Sequence, residues 1–107
     1  MNKYKNIKTQ FKGLKFDSRK EMMRYVELEA MQKRGLVEDL RCQVKMDVKI
    51  EGKHICDLIL DFVYEMKGIT HYEDVKAFNG KKFLTTPVFN LKKKLVEAIY
   101  QIKIELI

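Results

Sequence analysis

Apolar and polar residues alternate strictly through "LRCQVKMDVKI", residues 40–50. Leu40, Cys42, Val44, Met46, Val48 and Ile50 fall on one side, and Arg41, Gln43, Lys45, Asp47 and Lys49 on the other. A period of two predicts a half-buried strand. "EGK" at 51–53 signals a turn. "HICDLILDFVYE", 54–65, is apolar on both faces except at Asp57 and Asp61, which predicts a strand in the middle of a sheet. "MKGI" turns the chain again, and residues 70–78 read as a third strand, so the three form an antiparallel meander.

Helical spacing flanks this meander. Ser18 followed by Glu21 matches a capping box that opens a helix over 18–34, closed by Gly35. Met22, Tyr25, Val26 and Ala30 mark its apolar face, widened by Leu28 and Met31. Thr86 and Pro87 fit the N-cap and first position of a second helix. Its apolar positions are Val88, Leu91, Leu95, Ala98 and Ile99, with Lys92, Lys93 and Lys94 mostly opposite. "QIKIELI" alternates as a last strand. The order is α-β-β-β-α-β.

Residues 1–16 interleave Lys3, Lys5, Lys8, Lys12 and Lys15 with Tyr4, Ile7, Phe11, Leu14 and Phe16. This is a basic N-terminal arm, a short hairpin around Gly13, or both. The 107 residues predict one domain with a modest core. Hydrophobic residues make up 46% and charged ones 35%, which excludes a disordered chain. The formal net charge of +7 favours a polyanionic partner, a solvated basic surface being the plainer alternative. Cys42 and Cys56 match neither a disulfide framework nor a zinc signature, and Cys42 falls in phase with apolar neighbours as a buried thiol. His54 and His71 stand at no metal-ligand spacing and read as structural or surface residues. With no long apolar run and no signal peptide pattern, a cytoplasmic protein without membrane contact is expected.

Charge inside the third strand, "HYEDVKAF", 71–78, changes the picture. Tyr72, Asp74, Lys76 and Phe78 share one face; His71, Glu73, Val75 and Ala77 share the other. If Glu65 pairs with Thr70, Asp61 lies directly opposite Asp74, and like charges so placed destabilise a sheet unless something compensates. A two-residue slip would set Asp61 opposite Lys76. In either register Asp61, Asp74 and Lys76 share a face. They form an ordinary salt pair or part of a site. A hard divalent cation is the natural guest for the acids, with Mg²⁺ or Mn²⁺ held by Asp61, Asp74 and the carbonyl of Val75. Lys76 could then orient a water or stabilise the charge of a pentavalent phosphate. Asp57 is a weaker second ligand or a strand-end charge.

"ILDFVY…HYEDVK" resembles the core of the PD-(D/E)XK nuclease superfamily, with Asp61 as first acid and Asp74-Val75-Lys76 as the (D/E)-x-K motif. "GLKFDSRKE" and the "KKKL" helix closing on a strand look like a small phage-type, Holliday-junction-resolvase-like family within it. Leu60 stands where the superfamily's name has proline. The resemblance implies a restriction-endonuclease-like αβββαβ core, an α/β fold with a mixed central sheet flanked by helices. It also implies a glutamate near the metal on the first helix. Glu21 matches by position, its alternative being the helix cap alone, and Glu27 and Glu29 are weaker substitutes. Gln43 is a minor site contact or a solvent-facing residue.

The resemblance further implies a Mg²⁺-dependent DNA endonuclease, structure-selective on branched DNA, acting as a homodimer, in the host cytoplasm if phage-encoded. Lys12, Lys15, Lys81, Lys82 and Lys92–Lys94 are candidate phosphate contacts. Two alternatives stand beside it: a non-catalytic nucleic-acid-binding module, and a small interaction or inhibitor protein.

Overall fold

The structure, a computed structural model, describes residues 9–11 and 13–107, with side chains from residue 13 onward. Among them, β1 (Thr9–Phe11) and β2 (Leu14–Phe16) form a hairpin around Gly13. Then follow α1 (Arg19–Lys33), β3 (Glu38–Ile50), β4 (Lys53–Met66), β5 (Ile69–Asp74), α2 (Pro87–Tyr100) and β6 (Ile104–Leu106). The order α-β-β-β-α-β is borne out behind the small hairpin. Lys12 and the lysines before it lie outside the described residues.

The long strands build a four-stranded mixed sheet in the order β3-β4-β5-β6. The β3–β4 and β4–β5 pairs are antiparallel, and β6 returns parallel to β5 after α2. Two-residue turns close the meander. Glu51 and Gly52 have φ of 50° and 80°, and Lys67 and Gly68 have 53° and 76°. These left-handed pairs are what a type I′ turn requires. Glu65 does pair with Thr70, which rules out the slipped register.

The sheet divides two cores. On the α1 side Phe16, Leu28, Val37, Phe62 and Tyr64 are buried together. On the α2 side Val96 packs with Met46, Val48, Leu58, Leu60, Val63 and Ile104. Each such large side chain contributes roughly 1.5–3 kcal/mol by leaving water. In β4, Leu58 and Leu60 belong to the α2-side core while Phe62 and Tyr64 belong to the α1-side core. In β3, Val44 and Cys42 divide the same way. Strict alternation would keep each set on one face. The crossover falls at Gln43, whose φ of 54° is left-handed, between the Cys42–Phe62 and Val44–Leu60 pairs. The ribbon therefore turns at the position of Gln43 and Asp61, and its outer half is laid against α2.

Three expectations need correction. The third strand ends at Asp74, not at 78. The Val75 N–H is taken by the Asp61 carboxylate at 2.7 Å, so the next ladder bond cannot form. On α1 the deepest residue is Leu28, not one of the four marked as its apolar face. On α2 the expected stripe is largely exposed: Val88, Leu91 and Ile99 face solvent, as does Ala98. Val96 is buried instead, with Phe89 and Leu95 half-buried, and Lys92 and Lys93 lie half-buried on the sheet side. The helix is apolar on more than one face, and docking on β3 and β4 decides which is covered.

Candidate functional site

Beyond the Phe62–Glu73 pair, side chains continue the β4–β5 ladder. The Asp61 N–H donates to Asp74 Oδ1 at 3.3 Å, and the Val75 N–H donates to Asp61 Oδ2. On the other edge of the segment, the Ile107 N–H donates to the Asp74 carbonyl at 3.0 Å and the Lys76 N–H to the Ile107 carbonyl at 3.1 Å. The backbone that carries Asp74, Val75 and Lys76 is thus held from both sides. Asp74 is buried and Asp61 half-buried.

Glu21 reaches the same place from α1. Ser18 caps the helix by accepting the Glu21 N–H at 3.1 Å, as the S-x-x-E pattern implies. The Glu21 side chain, buried, accepts from Gln43 Nε2 at 3.2 Å, the amide that also serves Asp61. The main chain of Asp17, one residue before the cap, also bonds to Glu21. Gln43 donates to Asp61 Oδ1 as well, at 3.4 Å. Its left-handed backbone and its opposition to Asp61 bring the amide between two carboxylates. Of its two sequence readings, site contact or solvent-facing residue, this placement fits the first.

Burial and neighbouring charge raise the proton affinity of Asp61 and Glu21. Burial, then the charge and hydrogen bonding of Asp74, push Asp61 up to about 8. Burial and the Asp17 charge raise Glu21. The Cys42 thiol, half-buried beneath them, is raised by burial and by the charges of Glu21 and Asp61.

Lys76 supplies the nearby cation. Its Nζ lies 2.9 Å from Asp74 Oδ2 and 3.9 Å from the centroid of the Phe89 ring. Lys20 Nζ donates to the Lys76 carbonyl at 2.6 Å. A cavity of about 300 Å³ opens between these groups, lined by Glu21, Gln43, Asp61, Asp74, Val75, Lys76 and Phe89 among others. A larger one, about 550 Å³, lies between the end of α1 and the β4–β5 turn and holds none of them. Phe89 and Lys20 were missed in the sequence, where each is one aromatic or basic residue among many.

Glu73, next to Asp74 but on the other face, has a different task. It is fully buried and is gripped by Arg24 Nε at 2.8 Å and Nη2 at 2.5 Å, while the Tyr64 hydroxyl donates at 2.5 Å. The bonds to Glu73 hold the Arg24 proton more tightly than usual, and burial raises the Tyr64 phenol. His71 stacks on Tyr64 and bonds to Glu105. This network ties α1 to β5.

The remaining candidates scatter. Asp57 is not beside Asp61. It lies opposite Asp47 and, with His54, forms a trio whose ligand atoms are mutually within 4.8 Å. His54 Nδ1 is 2.6 Å from Asp47 Oδ1. Among the described residues this is the one trio at that spacing; Glu21, Asp61 and Asp74 do not close to it. Glu27 pairs with Arg24, and Glu29 with Tyr25 and Lys33, so neither substitutes for Glu21. Lys15, Lys81, Lys82 and Lys94 are exposed. Lys92 is bonded to the Asp57 carbonyl and Lys93 to Glu97, which leaves Lys94 as the solvated member of that run. No helix is long and apolar enough to cross a membrane.

The family model described as "Protein of unknown function (DUF1064)" matches residues 1–107. Neither a curated protein nor a solved structure matches the chain.

Proposed function

We propose a function for this chain, which belongs to the DUF1064 family: metal-dependent hydrolysis of DNA phosphodiester bonds, selective for branched DNA. The observation that carries it is the meeting of Asp61 and Asp74 with Lys76 in one cavity, with Glu21 behind them. The PD-(D/E)XK resemblance assigns those same residues.

The donor set suits a hard cation. It is all oxygen, and two carboxylates face each other on neighbouring strands with one ammonium group paired to Asp74. Asp61 and Asp74 would hold Mg²⁺ or Mn²⁺, with the Val75 carbonyl and Glu21 as further donors. A bound ion would polarise the scissile phosphate and lower the pKa of a coordinated water. The chain's own groups do the rest. Gln43 donates to both Glu21 and Asp61 and keeps their carboxylates turned to the cavity. The Lys76 ammonium, steadied by the Phe89 ring, stabilises negative charge building on a phosphate beside Asp74. The net charge of +7 draws in the polyanion, with Lys15, Lys81, Lys82 and Lys94 free to meet phosphates. Symmetric resolution of a four-way junction needs two such cavities, so a homodimer is part of the proposal.

The test is cleavage of a labelled four-way junction against linear duplex, with and without Mg²⁺, beside an Asp74→Ala control. Metal-dependent cutting of the junction that the control lacks is expected. Intact DNA with salt-sensitive binding would favour the non-catalytic module, and absence of both would favour a protein-binding role.

A further inference from the structure

Two residues past Lys76 the chain rises into a tight hairpin of which the catalytic reading uses only Lys81 and Lys82. Phe78 and Phe83 form an isolated antiparallel bridge, and the Leu84 N–H donates to the Ala77 carbonyl at 2.8 Å. At the tip, Asn79 Oδ1 accepts the N–H groups of both Lys81 and Lys82 at 2.9 Å, and its own N–H donates to the Lys82 carbonyl at 3.1 Å. Gly80, with φ of 93°, makes the turn possible. The loop is therefore fixed by its own bonds.

Its surface is unusual. Phe78 is 52% exposed, and its ring is held edge-on against Phe83 at 5.0 Å. Phe83 in turn lies 5.3 Å from Lys20 Nζ, the group that bonds the Lys76 carbonyl. A fixed, water-exposed ring is thus coupled through three contacts to Lys76 in the wall of the acidic cavity. Its neighbours along the chain are basic: from Val75 to Val96 there are six lysines and no acid, with Lys81 and Lys82 at the hairpin tip. Two residues of chain span at most roughly 7 Å, about one nucleotide of stretched backbone, so Phe78 and Lys76 can reach neighbouring nucleotides. Aromatic faces flanked by lysines suit unstacked nucleobases, which offer a π-face and an adjoining phosphate. A protein partner's apolar patch would not call for the lysines.

We propose that the 77–84 hairpin is a base-binding finger, in which Phe78 stacks on a nucleobase face left unstacked at a branch or in a single strand, beside the scissile phosphate, while Lys81 and Lys82 hold flanking phosphates. It rests on the nuclease reading above and gives that reading its substrate class: DNA with an unstacked nucleotide, in preference to continuous duplex. A paired duplex keeps its bases stacked and gives Phe78 nothing to cover.

The test uses the full chain with Ca²⁺ in place of Mg²⁺, so that binding is read without cutting. Phe78→Ala should weaken binding to a four-way junction and to an oligothymidine about tenfold, while duplex affinity is unchanged. Phe78→Trp should restore it, with tryptophan fluorescence quenched by the junction and not by duplex. The double variant Lys81→Ala/Lys82→Ala should weaken all three ligands and lower the salt slope by about two. Equal effects of Phe78→Ala on junction and duplex, or none, would overturn the finger even if the protein cuts DNA. Selective Phe78-dependent binding without cleavage in Mg²⁺ would keep the finger and remove the enzyme. Failure to bind any DNA at low salt would remove both.

Discussion

Asp61 and Asp74 each accept a main-chain hydrogen bond from the strand that carries the other: Asp74 from the Asp61 N–H, and Asp61 from the Val75 N–H. This exchange fixes the two carboxylates face to face at the point where β5 leaves the ladder. It also makes the apposition of like charges a consequence of backbone geometry, which a side-chain rotation cannot relieve.

The stability of the metal-free protein should fall as pH rises. Asp61, raised to about 8 in the fold, titrates near 4 in the unfolded chain, so the native state binds the extra proton between those values. Its favourable effect is complete below about pH 4 and is lost as pH rises through about 8. Thermal melts in chelator from pH 5 to 9 should show the decline, and Asp61→Asn should flatten it. A wild-type melting temperature that climbs over this range would contradict the assignment.

Binding of Mg²⁺ should release protons at pH 7, because the raised carboxyl must ionise to become a ligand. Calorimetry in two buffers of different ionisation enthalpy measures this directly. Release should fall in Asp61→Asn and shrink above pH 8.

Lys76→Met should lower cleavage by roughly 10²–10³-fold with little effect on junction binding, since its charge acts on the transition state. Phe89→Leu should cost less, removing the ring beneath the ammonium group and leaving the ion pair with Asp74. Single-turnover rates separate the two. Equal losses in binding and rate would mean that Lys76 is a phosphate anchor.

Arg24→Ala should destabilise the fold by about 3–5 kcal/mol, because it strands the fully buried Glu73 carboxylate. Glu73→Gln in the same background should recover part of that loss. Urea melts of the three proteins decide it.

Gln43→Gly should leave the fold at least as stable, by up to about 1 kcal/mol, since glycine accepts the left-handed backbone without penalty. It should still lower cleavage, having lost the amide that serves Glu21 and Asp61. A variant that is both stable and fully active would show that the amide has no part in the site.

Periodicity and turn chemistry made much of the fold legible. The strand over 40–50, the turns at Gly52 and Gly68, the Ser18 and Thr86 caps and the Glu65–Thr70 register all stand in the structure, although the alternation of 40–50 changes sides at Gln43. What escaped depended on tertiary contact. The side of α2 that docks is not decided by a helix with apolar residues on more than one face. The place of Asp57 follows from the ribbon's turn at Gln43, and no local pattern announces a left-handed glutamine inside a strand. Glu73 and Asp74 are adjacent acids in the sequence, and only the opposite faces of β5 separate a structural anchor from a candidate ligand.

One turn of α1 carries both Glu21 and Arg24, the first turned toward Asp61 and the second clamped on Glu73. The helix cannot shift against the sheet without moving both. Mutations that loosen the clamp, though remote from any phosphate, would drag a proposed ligand out of place. In a library screened only for folding, and in one screened only for cutting, the same handful of positions on α1 and β5 should therefore emerge as intolerant.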